Sequence, residues 1–324
     1  MTLRAVLVFI LLVRFCHGQK SAIDDIFNKK IEHSLISRGD NFADFDPAKD
    51  SADLFLFTLH KNIPISEFKK KTGFDDAKIQ SIIEKLLAKD WLLKVNDQYK
   101  PTVFIADSID GIKLFEKAEP IAEDIAKSIV KIIPVVENEF RKTRISQTDN
   151  FEKWSFLILS DVLLDSWQID SVERKFLKKD KRPERHGKNY YYKISENTNP
   201  ARESFGIYGN HIKKMNDKYI GVYGNNRISL NIVKASNFVS KTDNKIFEKM
   251  AGLYLPHLLQ ILNKYKAYSL KVFDQLGYKN EISFEEFYIW WYHFIYTRAT
   301  DKLNSRNILN IPARGNFDYE IEYE

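Results

Sequence analysis

Cysteine is almost missing from this chain: Cys16 is the only one in 324 residues. That excludes an internal disulfide, a thiolate metal site and redox chemistry through a cysteine pair. No Asn-x-Ser/Thr glycosylation acceptor occurs, which favours a bacterial source over a eukaryotic secretory one. Long apolar runs are missing after residue 19, so no membrane span is expected in the body of the protein. There is no Gly-Lys-Ser/Thr after a glycine-rich turn, no His-Glu-x-x-His pair and no Gly-x-Ser-x-Gly turn. A phosphate loop, a helical zinc site and a strained nucleophile turn are therefore not expected, and neither a cofactor nor a metal is implied.

What the chain does have begins at Met1. Arg4 precedes an apolar stretch from Ala5 to Val13, and Cys16-His17-Gly18 lies before the polar Gln19. A basic start, about ten apolar residues and small residues at the end mark a secretory signal peptide over 1–18, cleaved near Gly18-Gln19. Cys16 follows Val13-Arg14-Phe15, which lack the small residues of a lipid-attachment site, so lipid anchoring is not expected. The exported chain would be periplasmic, envelope-associated or secreted.

Net charge is +6, but it is uneven. Arg174 to Lys193 holds nine Lys/Arg against Asp180 and Glu184, and the rest of the exported chain is slightly acidic. A local basic patch is not a general nucleic-acid signature. Within it, Arg182, Arg185, His186 and Lys188 precede Tyr190-Tyr191-Tyr192, a mixture suited to an anionic ligand or an acidic partner. A solvated loop is the simpler reading of that segment.

The apolar spacing predicts a mostly α chain, α+β overall. Residues 19–50 form a helical lead. Residues 51–110 read as three helices followed by two strands. Gly73 stops the second helix, Ile79, Ile82, Ile83, Leu86 and Leu87 line one face of the third, and Asn96-Asp97 turns between the strands. This order resembles a winged helix-turn-helix domain of the broad bacterial regulator type over about residues 51–105. The resemblance implies that Asp75 to Asp90 is the recognition helix and that Trp91 to Ile105 is the wing. The expected recognition helix has a net charge of −1 and the wing tip Asn96-Asp97-Gln98 is not basic. Nucleic-acid binding is therefore not expected, and a protein-interaction role is.

Residues 115–324 read as an α+β domain. Helices are expected at Ala118 to Arg144 with a kink at Pro134, Phe151 to Ile169, Lys245 to Leu276 and Phe284 to Leu303. The last opens with a Ser283/Glu286 capping box. A β-rich stretch from Tyr190 to Val233 and a closing strand from Phe317 to Tyr323 complete the domain. An internal repeat stands out, Gly206-Ile207-Tyr208-Gly209-Asn210 and Gly221-Val222-Tyr223-Gly224-Asn225. Its expected binding residues are Tyr208, Asn210, Tyr223, Asn225 and Arg227, although turn and sheet packing explain the same residues. Candidate acid–base groups are His211, His257, His293 and Glu286, each also readable as packing. Asp161 and Asp165, four apart on a helix, read as an exposed polar edge.

These residues favour an exported bacterial binding or interaction module for a partner protein or an anionic envelope ligand. The alternatives are an exported hydrolase with a His/carboxylate site in the C-terminal domain, and a DNA-binding regulator.

Overall fold

A computed structural model describes residues 21–39, 41–197, 207–215, 218–225 and 235–323. The expected signal peptide and Arg227 lie outside these residues. With 56% helix against 18% strand, the chain is mostly α and α+β in plan. It folds as two compact units. The smaller comprises residues up to Lys30 together with Asp44–Pro101, and the larger comprises Ile31–Ala43 and Thr102–Glu324. The expected lead segment is thus divided between them.

In the smaller unit, Ser21 caps helix α1 (Ala22–Phe27) by accepting from the Asp24 N–H. Strand β1 (Ile31–Ile36) follows in the chain but belongs to the larger unit. Then come α2 (Ala52–His60), α3 (Ile65–Thr72) and α4 (Asp76–Ala88). Gly73, at φ 71°, ends α3, and Asp75 caps α4 through the Lys78 N–H at 2.8 Å. Strands β2 (Leu92–Val95) and β3 (Gln98–Pro101) pair antiparallel around Asn96 and Asp97, both at positive φ, the backbone that a tight two-residue hairpin needs. Phe55, Phe68, Ile82, Ile83, Leu86 and Trp91 fill the core, with the Phe55 and Phe68 rings edge to face at 5.1 Å.

The larger unit opens with β4 (Phe104–Ala106) and α5 (Ser108–Phe140), the latter started by an Asp107/Asp110 capping box. Its buried stripe (Leu114, Ala118, Ile121, Ile125, Ile129, Ile132, Val136) keeps the three-four period, and the helix runs through both Pro120 and Pro134. Helix α6 (Phe151–Phe156) widens directly into a π-helical stretch, Leu157–Val162, and α7 (Ile169–Ser171) widens likewise into Val172–Leu177. A short hairpin of β5 (Glu184–Arg185) and β6 (Lys188–Asn189) turns at His186 and Gly187, both at positive φ. The segment read as a solvated loop is therefore partly ordered.

Strand β7 (Tyr191–Glu196) lies between β1, antiparallel, and β4, parallel. A second sheet has the order β10 (Asn237–Val239), β11 (Asn316–Ile321), β9 (Lys218–Asn225), β8 (Tyr208–Met215). Its antiparallel register sets Gly209 opposite Gly224 and Asn210 opposite Tyr223, so the repeated sequences pair with each other at one end of the hairpin. Tyr319 lies opposite Gly221, and a Cβ there would collide with its ring, so only glycine admits this cross-strand contact.

The remaining helices are α8 (Lys241–Lys264), α9 (Lys266–Gln275) and α10 (Phe284–Ser305). The single helix expected over Lys245 to Leu276 is broken at Tyr265. Every residue from Glu286 to Thr297 is buried, as expected of a helix apolar on all sides. Trp291 donates its indole N–H to the Leu114 carbonyl at 2.9 Å, and the Tyr292 hydroxyl bonds the Leu164 carbonyl at 2.7 Å. Polar tips thus anchor α10 to α5 and to the end of the α6 segment. Ser283 caps α10 by accepting from the Glu286 N–H at 3.1 Å. The Glu286 carboxylate does not return the bond but turns to Arg185 and the Tyr192 N–H.

Candidate functional site

A cavity of about 960 Å³ lies within the larger unit. Residues 32–38 form one side, residues 207–213 another, and Asp165, Ser166, Ile169, Trp290 and His293 line it from the helices. Two of the expected residues, His211 and His293, meet here, and so do Tyr208, Asn210 and Arg182.

The carboxylates reach the site because of the helix that carries them. Asp161 sits in the π-helical turn and Asp165 just beyond it, with relative exposures of 0% and 4%. The wider turn alters the angular phase that an α-helix would give, and such turns gather at functional sites. The expectation of an exposed edge is overturned: both side chains are buried beside the hairpin.

The two aspartates differ in their surroundings. Asp161 accepts from the Ser166 N–H at 3.0 Å, from the Ser166 hydroxyl, and from the Asn210 amide at 2.7 Å. The Tyr319 hydroxyl also contacts Asn210. Asp165 Oδ2 has no hydrogen-bond partner among the described residues, while its Oδ1 lies 3.9 Å from His293 Nε2.

Burial is the largest influence on all three groups. It raises Asp161, with the charge of Asp165 adding to the effect and the Ser166 and Asn210 donors opposing it. It raises Asp165 to about 7, against a smaller lowering pull from the Tyr296 hydroxyl. It lowers His293 to about 4. The His293 Nδ1 lies 2.8 Å from the Ile289 carbonyl, which can only accept, so Nδ1 carries the proton and Nε2 presents a lone pair. Between about pH 4 and pH 7 the proton of the pair therefore belongs to the carboxyl, and the imidazole is neutral. At 3.9 Å the two groups are too far apart to satisfy each other.

A buried polar network supports this wall. Lys193, fully buried, donates to the Ser195 hydroxyl at 2.9 Å, and that hydroxyl donates to Glu32 at 3.0 Å. The Lys193 ammonium lies over the Trp290 ring at 5.8 Å, and Trp290 packs against His293 at 5.6 Å. The hairpin is held from α10: Thr297 accepts from the Tyr208 N–H at 2.9 Å, and the Tyr296 hydroxyl bonds the Tyr208 carbonyl at 2.7 Å.

The other expected site residues lie as follows. Tyr208 places its hydroxyl 2.9 Å from Asp301, and Tyr223 is fully buried with its hydroxyl on Ser160, so the two tyrosines serve packing and anchoring. Asn225 donates its N–H to the Gly315 carbonyl at 3.3 Å. Arg185 and Glu286 form a buried ion pair at 2.7 Å, with Thr102 taking two further Arg185 bonds at 3.0 and 2.7 Å. Burial raises Glu286 and Arg185 pulls it back, a structural pairing away from the cavity wall. Arg182 is held by Glu173 at 2.8 Å. His186 is exposed in the hairpin turn, and Lys188 lies 6.0 Å from the Phe42 ring centre. His257 is exposed on α8 against Tyr254, away from the residues that line the cavity.

In the sequence Asp165 reads as part of an exposed edge, and Ser166 is not singled out. The available signal was the setting of two aspartates among Phe156, Leu157, Leu159, Val162 and Leu163, where a solvated edge has no room. Among the described residues, no group of three His, Cys, Asp or Glu could hold a metal ion. Comparison with protein-family models, with curated proteins and with solved structures found no match to this chain.

Proposed function

We propose that the larger unit is a hydrolase in which His293 is the general base and Asp165 the general acid. One observation carries the reading: on a cavity wall, a protonated carboxyl and a bare imidazole nitrogen stand 3.9 Å apart with neither satisfied by the other. His293 Nε2 can take a proton from water as the water oxygen attacks, and Asp165 can deliver a proton to the leaving group. Each transfer of this kind contributes about 10²–10⁴ in rate. Afterwards the proton returns from the imidazolium to the carboxylate, and the pair is reset. Asp161, its carboxyl raised by burial against the pull of its donors, and Asn210 hold Ser166 beside this pair.

The test is turnover of chromogenic esters, glycosides and amides by the purified chain and by Asp165→Asn and His293→Gln. A hundredfold or larger fall in kcat for both variants, with KM little changed, supports the assignment. Turnover that survives both substitutions sinks it, as does a wild-type chain that turns over none of the three.

For the smaller unit we infer a winged-helix-like interaction module that does not read DNA. Four of its lysines are neutralised within the unit: Lys69 with Asp76, Lys71 with Asp24, Lys78 with Asp50 and Lys89 with Asp44, all within 2.8 Å. Phosphate contacts need cations that are not already paired. Export is part of this proposal. Among the described residues no helix is long and apolar enough to cross a membrane.

A further inference from the structure

The spacing of the acid and the base restricts the bond that they can break. A glycoside hydrolase works on a sugar from two sides, with its groups about 6.5–9.5 Å apart when inverting and about 5–5.5 Å apart when retaining. His293 Nε2 and Asp165 Oδ1 are 3.9 Å apart, which leaves no room for a sugar ring between them. In acyl transfer the arriving water and the leaving group are both bonded to one carbonyl carbon. An acid and a base this close can each come within about 2.6–3.2 Å of those two atoms, the reach of proton transfer. The pair therefore suits a carbonyl centre.

Beside the pair the cavity has an apolar surface. Strand β9 lines it with Ile220 and Val222 but not with Gly221 between them, so one face of the sheet is presented. Ile169 and Ile207 border the same cavity, and all four of these aliphatic residues are buried. A carbon chain laid on this surface gains from every methylene that leaves water.

The charges of the lining are balanced before any ligand enters. Arg182 is held by Glu173 at 2.8 Å, Arg38 is paired with Asp170, and Glu32 lies 3.4 Å from Lys193. Lys213 is exposed to solvent. Asp165 and His293 are both uncharged between about pH 4 and pH 7. A carboxylate or phosphate would leave water for a wall whose buried cations already have counter-ions, and that is costly. From the spacing, the sheet face and the balanced charges we infer that the substrate is an uncharged aliphatic acyl compound, an ester or an amide, whose chain lies on Ile220 and Val222.

This inference rests on the hydrolase reading for the cleavage step, though not for the binding. Water gives a proton to His293 Nε2 while its oxygen bonds to the carbonyl carbon. The bond from that carbon to the alcohol oxygen or amine nitrogen then breaks, and the leaving atom takes the proton of Asp165. The products are a carboxylic acid and an alcohol or amine. The imidazolium then returns its proton to the Asp165 carboxylate.

The experiment uses the full chain at pH 6 and reads the Asp165-dependent rate, wild type minus Asp165→Asn. The p-nitrophenyl ester of octanoate should exceed that of acetate at least about tenfold in kcat/KM, because its longer chain is buried. The p-nitrophenyl monoester of succinate should fall at least about tenfold below the butyrate, which has the same chain length without the charge. The p-nitrophenyl glucoside should not react. Turnover of the octanoate ester, of octanoyl p-nitroanilide or of both supports the class and tells the two leaving groups apart. Val222→Thr places a hydroxyl on the apolar face and should slow octanoate about threefold. Its acetate rate should stay at the wild-type value, which shows that the variant is folded. A flat chain-length profile, a succinate monoester cleaved as fast as the butyrate, or Asp165-dependent cleavage of the glucoside overturns the inference. Calorimetry with 2-octanone and octanoate separates it from the hydrolase reading. Tighter binding of 2-octanone than of octanoate, weakened by Val222→Thr and without turnover of any ester or amide, retains the ligand class and rejects the hydrolase. Asp165-dependent turnover confined to the glucoside or the succinate monoester does the reverse, and neither binding nor turnover overturns both.

Discussion

His293 Nε2 faces Asp165 Oδ1 across 3.9 Å, with the proton on the acid and the lone pair on the base. In water the order is opposite: near pH 5 an ordinary aspartate is charged and an ordinary histidine is protonated. Burial reverses both without changing the number of protons that the pair holds.

That reversal has a thermodynamic signature. Between about pH 4 and 6.5 the unfolded pair holds one proton, on histidine, and the folded pair holds one, on Asp165. With equal proton counts the pair adds no slope to stability in that window. Removing either partner should expose the slope of the other. Asp165→Asn leaves a histidine with a depressed pKa, whose contribution is present above about 6.5 and lost as pH falls towards 4. His293→Gln leaves a carboxyl with a raised pKa, whose contribution is present below its ordinary value and lost as pH rises towards 7. Each slope should approach about 1.4 kcal/mol per pH unit, with opposite signs. Urea unfolding at several pH values measures them, and slopes of the same sign would contradict the assignment.

The Arg185–Glu286 pair should behave as a buried structural contact. Arg185→Ala leaves a carboxylate without its cation and should cost about 3–5 kcal/mol. Arg185→Met combined with Glu286→Leu should cost less than either single substitution, because no buried charge is left alone. A double-mutant cycle in urea gives the coupling.

At Gly221 the expected cost is steric. Gly221→Ala drives a methyl group into the Tyr319 ring and should destabilise the chain by about 1–3 kcal/mol. Tyr319→Leu in the same chain should relieve part of that loss, measured as a partial recovery of Tm.

For the smaller unit the prediction concerns charge. The native chain should leave the anisotropy of a labelled 30-base-pair duplex unchanged at 50 mM salt. Substituting Asp24, Asp44, Asp50 and Asp76 together by Asn frees four lysines and should produce salt-sensitive, sequence-independent binding. Tight binding by the native chain would instead restore the DNA-reading alternative.

Local signals were the most legible. Ser283, Asp75 and Gly73 act at helix ends through bonds to their nearest neighbours, and the apolar stripes of α4 and α5 repeat at fixed spacing. The aspartates were misread for a specific reason. An i, i+4 pair is placed on the helix surface by assuming 3.6 residues per turn, and the π-helical turn at Leu157–Val162 breaks that assumption. Glu286 was recognised as part of a cap signature, yet its carboxylate goes to Arg185, 101 positions away. Tertiary choices of that kind leave no local periodicity to read.

Strand β1 sets an order of events. Glu32 and Lys193, which meet through β1 and β7, are separated by 161 positions, and the chain between them includes most of the smaller unit. During synthesis β1 leaves the ribosome early and waits for β7 before its ladder can close. Closing so long a loop is entropically costly, so this pairing belongs to the late steps of folding. The residue 32–38 side of the cavity is thus made first and installed late, and until then the acid–base pair lacks the enclosure that reverses its protons.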